Sequence, residues 1–158
     1  MELKLSSKLK QKIKSIIQED IPVEGNGPLV HSIIIPNKEI GGLKLPIVIS
    51  EDEDYIREYI LIMDITSLPQ AEMKTAIFEI VLRLQAKSYE FIYGILPVEE
   101  KKYLVAVQSQ KTSSVMRESP ELKYEWRSLS FSAAAMVEEL SKAFKIGRDK
   151  LIPENISI

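Results

Sequence analysis

The chain is 158 residues long, about one domain's worth, and should bury roughly 70% of its unfolded surface without a disulfide or metal staple. Twenty-one basic and 23 acidic side chains leave a net charge of −2, which removes the broad basic field of a dedicated nucleic-acid binder. With no cysteine, thiol catalysis, disulfides, zinc ribbons and iron–sulfur clusters are excluded, and a single histidine rules out a histidine-rich metal site.

The segment from Met1 to Lys14 interleaves lysines with apolar residues and lacks the continuous apolar core of a secretory leader. No apolar run approaches the ~20 residues that span a bilayer, so a cytoplasmic location is expected. Leu5, Leu9, Ile13, Ile16 and Ile17 recur at spacings of three and four, which predicts an amphipathic helix. Lys4, Lys8 and Lys12 follow a row of their own, with Lys10 and Lys14 beside them. Pro22 and the run Gly25-Asn26-Gly27-Pro28 end that helix in a loop.

Three strands are predicted next. Leu29 to Ile35 is apolar and β-branched, and Gly41-Gly42 marks a turn after it. Leu43 to Ser50 places Leu43, Leu45, Ile47 and Ile49 on one face. Glu51 to Asp54 is too acidic for a buried strand and reads as a hairpin tip. In Tyr55 to Ile65, Tyr59, Leu61 and Met63 alternate with Ile60, Ile62 and Asp64, the mark of a central strand covered on both sides.

A second helix follows, with Ser67 as its cap, Pro69 in its first turn and Gln70 at capping-box spacing. Met73, Ile77, Ile80, Val81 and Leu84 form its apolar face, and Ala76, Phe78 and Leu82 widen it, so deep packing is expected up to about Lys87. Tyr89 to Val98 and Tyr103 to Gln108 read as two further strands about a polar turn at Glu99 to Lys102. Lys111 to Arg127, polar and interrupted by Pro120, is predicted to be a long loop anchored by Trp126. Ser132 is expected to open the last helix, Ala133 to Phe144 to supply its stripe, and Gly147 to end it.

The sequence thus predicts a single α+β domain over residues 1–158, with a core at about 5–144 and a tail at 145–158. Its expected architecture is a five-stranded, mainly antiparallel sheet with three helices, in the order α-β-β-β-α-β-β-α. That order, the size, the acidic balance and the pattern from Ser132 to Phe144 after a hairpin resemble the type III secretion chaperone-like fold, which the YbjN-like proteins share. The resemblance spans roughly Leu5 to Phe144, and Lys111 to Arg127 departs from the compact members. It implies a binding protein without catalytic residues, often a homodimer, either holding an extended client peptide or acting as a regulatory or stress-related factor.

No residue pattern argues for catalysis. His31 lies in a strand with no local carboxylate to orient it, so it reads as a structural histidine. The Glu51–Asp54 run lacks the alternation and central glycine of a calcium loop. Gly25-Asn26-Gly27 has no P-loop lysine, and Ser113-Ser114 sits in no nucleophile elbow. No cofactor and no metal are expected.

The favoured function is a non-enzymatic protein-binding or regulatory role, with a protein partner, a client peptide or a second copy of the chain docked on leftover apolar surface. Leu5, Leu9 and Ile13 of the first helix and Met136, Leu140 and Phe144 of the last are the candidate partner surface. Lys4, Lys8 and Lys12 are candidate anion contacts, though a solvated face explains them as well, and neither a nucleic-acid nor a membrane partner is expected. Two alternatives are a small-ligand domain or enzyme with a carboxylate-lined cleft, and a membrane- or nucleic-acid-associated protein acting through the basic helix.

Overall fold

A computed structural model describes residues 4–20, 23–24, 30–35, 43–66, 71–87, 91–154 and 156. Helix α1 (Ser7–Asp20) is followed by strands β1 (Val23–Glu24), β2 (Val30–Ile35), β3 (Leu43–Asp52) and β4 (Tyr55–Asp64). Helix α2 (Ala71–Gln85) leads to β5 (Ile92–Val98) and β6 (Lys101–Lys111). Three helical segments complete the chain: α3 (Thr112–Met116), α4 (Glu121–Phe144) and α5 (Arg148–Leu151).

The strands form one antiparallel sheet in the order β1-β2-β3-β4-β6-β5. Its body is β3 to β6, strands of seven to eleven residues, and the shorter β2 and β1 extend one side. The expectation of five strands and three helices is therefore corrected to six strands and five helical segments among the described residues. The two-residue β1 falls where Pro22 and the glycine cluster suggested only loop, a length at which no alternating pattern can show.

The largest correction lies between 111 and 131. The expected loop is the end of β6, the short α3 and the first half of α4, and the last helix opens at Glu121 rather than Ser132. Leu122, Trp126 and Leu129 carry the buried stripe of Ala133, Met136, Val137 and Leu140 backwards at spacings of four and three. Serines obscured that stripe, yet Ser130 and Ser132 bond the carbonyls of Trp126 and Ser128 four residues back, so their hydroxyls do not compete with the helix. The helix stops at Lys145, which adopts φ 54°, and not at Gly147, which precedes α5.

Tight joints elsewhere use the same left-handed backbone. Glu53 (φ 49°) and Asp54 turn β3 into β4, and Glu99 (φ 52°) and Glu100 turn β5 into β6. Glu118 (φ 53°) joins α3 to α4.

The main core lies between the helices and one face of the sheet. Leu43, Leu45, Ile47 and Ile49 of β3 meet Ile56, Ile60 and Ile62 of β4 there, beneath Leu9, Ile13, Ile77 and the α4 stripe. A bulge between Leu61 and Met63 breaks the alternation, so Ile62 and Met63 both enter this cluster while Leu61 faces away. Val48, Tyr59, Leu61, Leu96, Val98, Tyr103 and Val105 form a second buried cluster on the opposite face. The region expected to be a tail ties the two together: Leu151 is buried in the first cluster and Ile156 packs on the second.

Helix α2 is less deeply packed than expected. Ile77 and Ile80 are buried, but Phe78 and Leu82 are exposed. Its proposed cap at Ser67, Pro69 and Gln70 lies outside the described residues.

Candidate functional site

The apolar residues singled out for a partner surface are occupied within the chain's own core. Leu9, Ile13, Met136 and Leu140 are buried, and Leu5 and Phe144 pack against the same cluster. Ahead of α1, the Lys4 carbonyl accepts the Glu51 N–H at 2.6 Å, and the Ser6 N–H donates to the Glu51 carboxylate at 3.0 Å. A carboxylate on β3 thereby serves the start of α1, whose own first turn holds no acid. Lys8 is exposed, and Lys12 is ion-paired with Glu118 in the joint between α3 and α4. The basic row is thus partly neutralised by the chain itself. The backbone of His31 lies in β2 opposite Ile47, and its side chain lies outside the described atoms.

The structure instead brings together two features that were not singled out. The first is a polar cluster beneath the start of α4. Glu58 of β4 pairs with Gln108 of β6, and Ile56 with Gln110, so all four side chains share the helix-facing side of the sheet. Glu58 is fully buried and accepts the Trp126 indole N–H at 2.8 Å. Burial pushes its carboxyl from 4.5 up to about 8; the Trp126 hydrogen bond opposes that rise, and the Glu125 charge adds to it. Glu58 therefore holds a proton at neutral pH.

The neighbouring polar atoms are unusual in lacking partners. Buried polar atoms in folded proteins are nearly always hydrogen-bonded. Among the described residues six buried side-chain atoms have no hydrogen-bond partner within the chain. Five belong here: Glu58 Oε2, Gln108 Oε1, Thr112 Oγ1, and both Nε2 and Oε1 of Gln110. Gln110 also lines a pocket of about 310 Å³ bounded by the end of β6, α3 and the first turns of α4. The sequence held a signal for this cluster. Glu58 stands in phase with Ile56 and Ile60, and Gln108 and Gln110 in phase with Leu104 and Ala106, so polar residues occupy the apolar register of two adjacent strands.

The second feature is an apolar flank beside the edge strand β5. Gln85, at the end of α2, donates from Nε2 to the Phe91 carbonyl at 3.1 Å and accepts the Tyr93 N–H at 2.7 Å. That side of α2 therefore faces the sheet edge. At about 100° per residue, Phe78 lies about 20° and Leu82 about 60° around the helix from Gln85. Arg83, about 160° away on the same count, reaches Glu139 of α4 at 2.9 Å. Phe78 (51% exposed) and Leu82 (69%) thus overhang β5, where Ile95 (48%) is exposed on the helix-facing side and Ile92 (59%) on the opposite face. The edge itself offers little to a new strand. Gln85 already occupies backbone groups of Phe91 and Tyr93, and Pro97 has no N–H to donate.

Among the described residues no group of three or more histidine and acidic side chains could hold a metal, and no helix is long and apolar enough to cross a membrane.

No family model and no curated protein matches the sequence. Three solved chains match the structure. One is YbjN from E. coli, described as a proposed transcription regulator, which aligns with a TM-score of 0.53 over 96% of this chain and 100% of its own at 10% identity. Likeness at that identity speaks for architecture alone, and the chain has a YbjN-like fold.

Proposed function

We propose that the chain is a non-catalytic binding protein that docks a protein partner on the flank formed by α2 and β5. The observation that carries this reading is the group of Phe78, Leu82 and Ile95, large apolar side chains left in solvent along one helix and the helix-facing side of the strand beside it. Because Gln85 and Pro97 obstruct strand addition, the route is side-chain packing against the exposed face of α2. A second copy of the chain is the simplest occupant, since a two-fold axis beside α2 would lay each flank on the other. A binding role also accords with the description of YbjN as a proposed transcription regulator.

The test is sedimentation of the full chain across a micromolar concentration series. Self-association is expected, and Leu82→Glu should weaken it at least tenfold by burying an unpaired charge. The variant's thermal midpoint should stay close to that of the parent, because Leu82 is exposed. A parent chain that remains monomeric throughout the series would refute the proposed pairing.

A further inference from the structure

Helix α4 rests on two different floors. From Ala133 to Leu140 it packs on the aliphatic side chains of β3 and β4. From Leu122 to Ser130 it also lies over Glu58, Gln108 and Gln110, four of whose buried polar atoms lack a hydrogen-bond partner. Each such atom gives up water on burial and regains nothing, so this half of the helix is held less firmly than the half beyond it. The pocket at the end of β6 runs past Leu122 and Glu125 and interrupts close packing along the same stretch.

Two joints bound that half. At one end Glu118 adopts φ 53° between α3 and α4. At the other, the hydroxyls of Ser130 and Ser132 load the carbonyls of Trp126 and Ser128 with a second donor at 2.8 and 2.7 Å, an arrangement at which helices bend. Between the joints the Trp126 indole N–H reaches Glu58 at 2.8 Å and fastens the helix to β4.

The surroundings of Glu58 decide what that fastening tolerates. Ile49 stands opposite it on β3, and Glu51, two residues on, is bonded to the Ser6 N–H. Strand β6 presents the neutral amides of Gln108 and Gln110, and α3 is uncharged from Thr112 to Met116. Helix α4 brings Trp126 and also Glu125, whose negative charge opposes a second carboxylate. Lys12 and Lys123, the basic groups of α1 and α4 at this end, act on Glu118, and no basic side chain offsets Glu58. Once ionised, Glu58 is a buried anion without a counter-charge, and the element able to admit water to it is the one with a joint at each end.

We propose that the first half of α4 is a proton-controlled flap, held on the sheet by the neutral Glu58 carboxyl and released from it when that carboxyl ionises. Glu58 titrates near 4.5 when exposed and about 8 when buried, so opening becomes about tenfold more favourable per pH unit across that interval. Burial of Leu122, Trp126 and Leu129 keeps the open form a small fraction throughout. About ten residues of detached helix are too few to stay helical, so their amides exchange whenever the flap opens. The inference stands apart from the docking flank on α2 and β5.

The experiment is hydrogen exchange of the full chain, read by mass spectrometry from about pH 5.5 to 7.5 with intrinsic exchange rates divided out. In the parent, residues 125–130 should be less protected than residues 133–140 at every pH, and their protection should fall about tenfold per unit. In Glu58→Gln that protection should not vary with pH. Equal protection of the two stretches in the parent would overturn the proposal, because opening would then be that of the whole molecule. Protection of 125–130 that is constant with pH in the parent, or falls as steeply in the variant, would overturn it too. Should Glu58→Gln fail to fold, Glu58→Met, of similar length and equally without charge, takes its place, and the comparison of the two stretches in the parent stands without either.

Discussion

Glu58 is the side chain whose environment departs furthest from its ordinary chemistry. Its carboxyl titrates near 8 in the folded chain and near 4.5 when exposed. The folded state therefore retains a proton that the unfolded state releases. The contribution of Glu58 to stability is greatest below the exposed value, declines as pH rises from about 4.5 towards 8, and is flat above that. Glu58→Gln keeps an oxygen for the Trp126 indole and removes the ionisation. It should match the parent's stability near pH 4.5 and exceed it progressively up to pH 8, by as much as several kcal/mol. Trp126 is the only tryptophan, so its emission should shift with a midpoint near pH 8 in the parent and stay constant in Glu58→Gln. A fluorescence titration run beside pH-resolved melts measures both effects.

Among the elements, those with an uninterrupted apolar pattern were legible in the sequence, and the junctions and the serine-rich start of the longest helix were not. The stripe of α1, the alternation of β3 and β4 and the apolar face of α2 all follow from periodicity, because each repeats its pattern over ten or more residues. The start of α4 was obscured by Pro120 and a run of serines that read as loop chemistry, although Leu122, Trp126 and Leu129 continued the helical spacing. The width of a buried face was also hidden. Phe78 and Leu82 read as core because they adjoin the stripe of α2, but that helix overhangs the sheet edge and, among the described residues, none covers them. Gln85 is the residue that closes the edge. Gln85→Ala would free the Tyr93 N–H and the Phe91 carbonyl, and is expected to lower stability by about 1–3 kcal/mol. The same change should increase aggregation at elevated temperature. Urea titration and light scattering check the two expectations.

For the molecule as a whole, the two buried clusters on opposite faces of the sheet make the C-terminal residues part of the fold. Leu151 closes one cluster and Ile156 packs on the other, so the stretch after α4 holds both sides of the sheet. Its apolar residues are too few to show a period, which is why the sequence read them as a tail. Leu151→Ala should cost about 2–5 kcal/mol, the range for a buried leucine truncated to alanine. A shift of the urea midpoint no larger than that of an exposed leucine substitution would show that the segment is dispensable.

Among the described residues four joints place glutamate or lysine where the backbone turns left-handed: Glu53, Glu99, Glu118 and Lys145. Each carries steric strain of roughly 1–2 kcal/mol that glycine would not feel, partly offset by glycine's larger loss of entropy on folding. The molecule therefore sits below the robustness its architecture allows, and a hardier version lies a few corner residues away, with core and surface untouched.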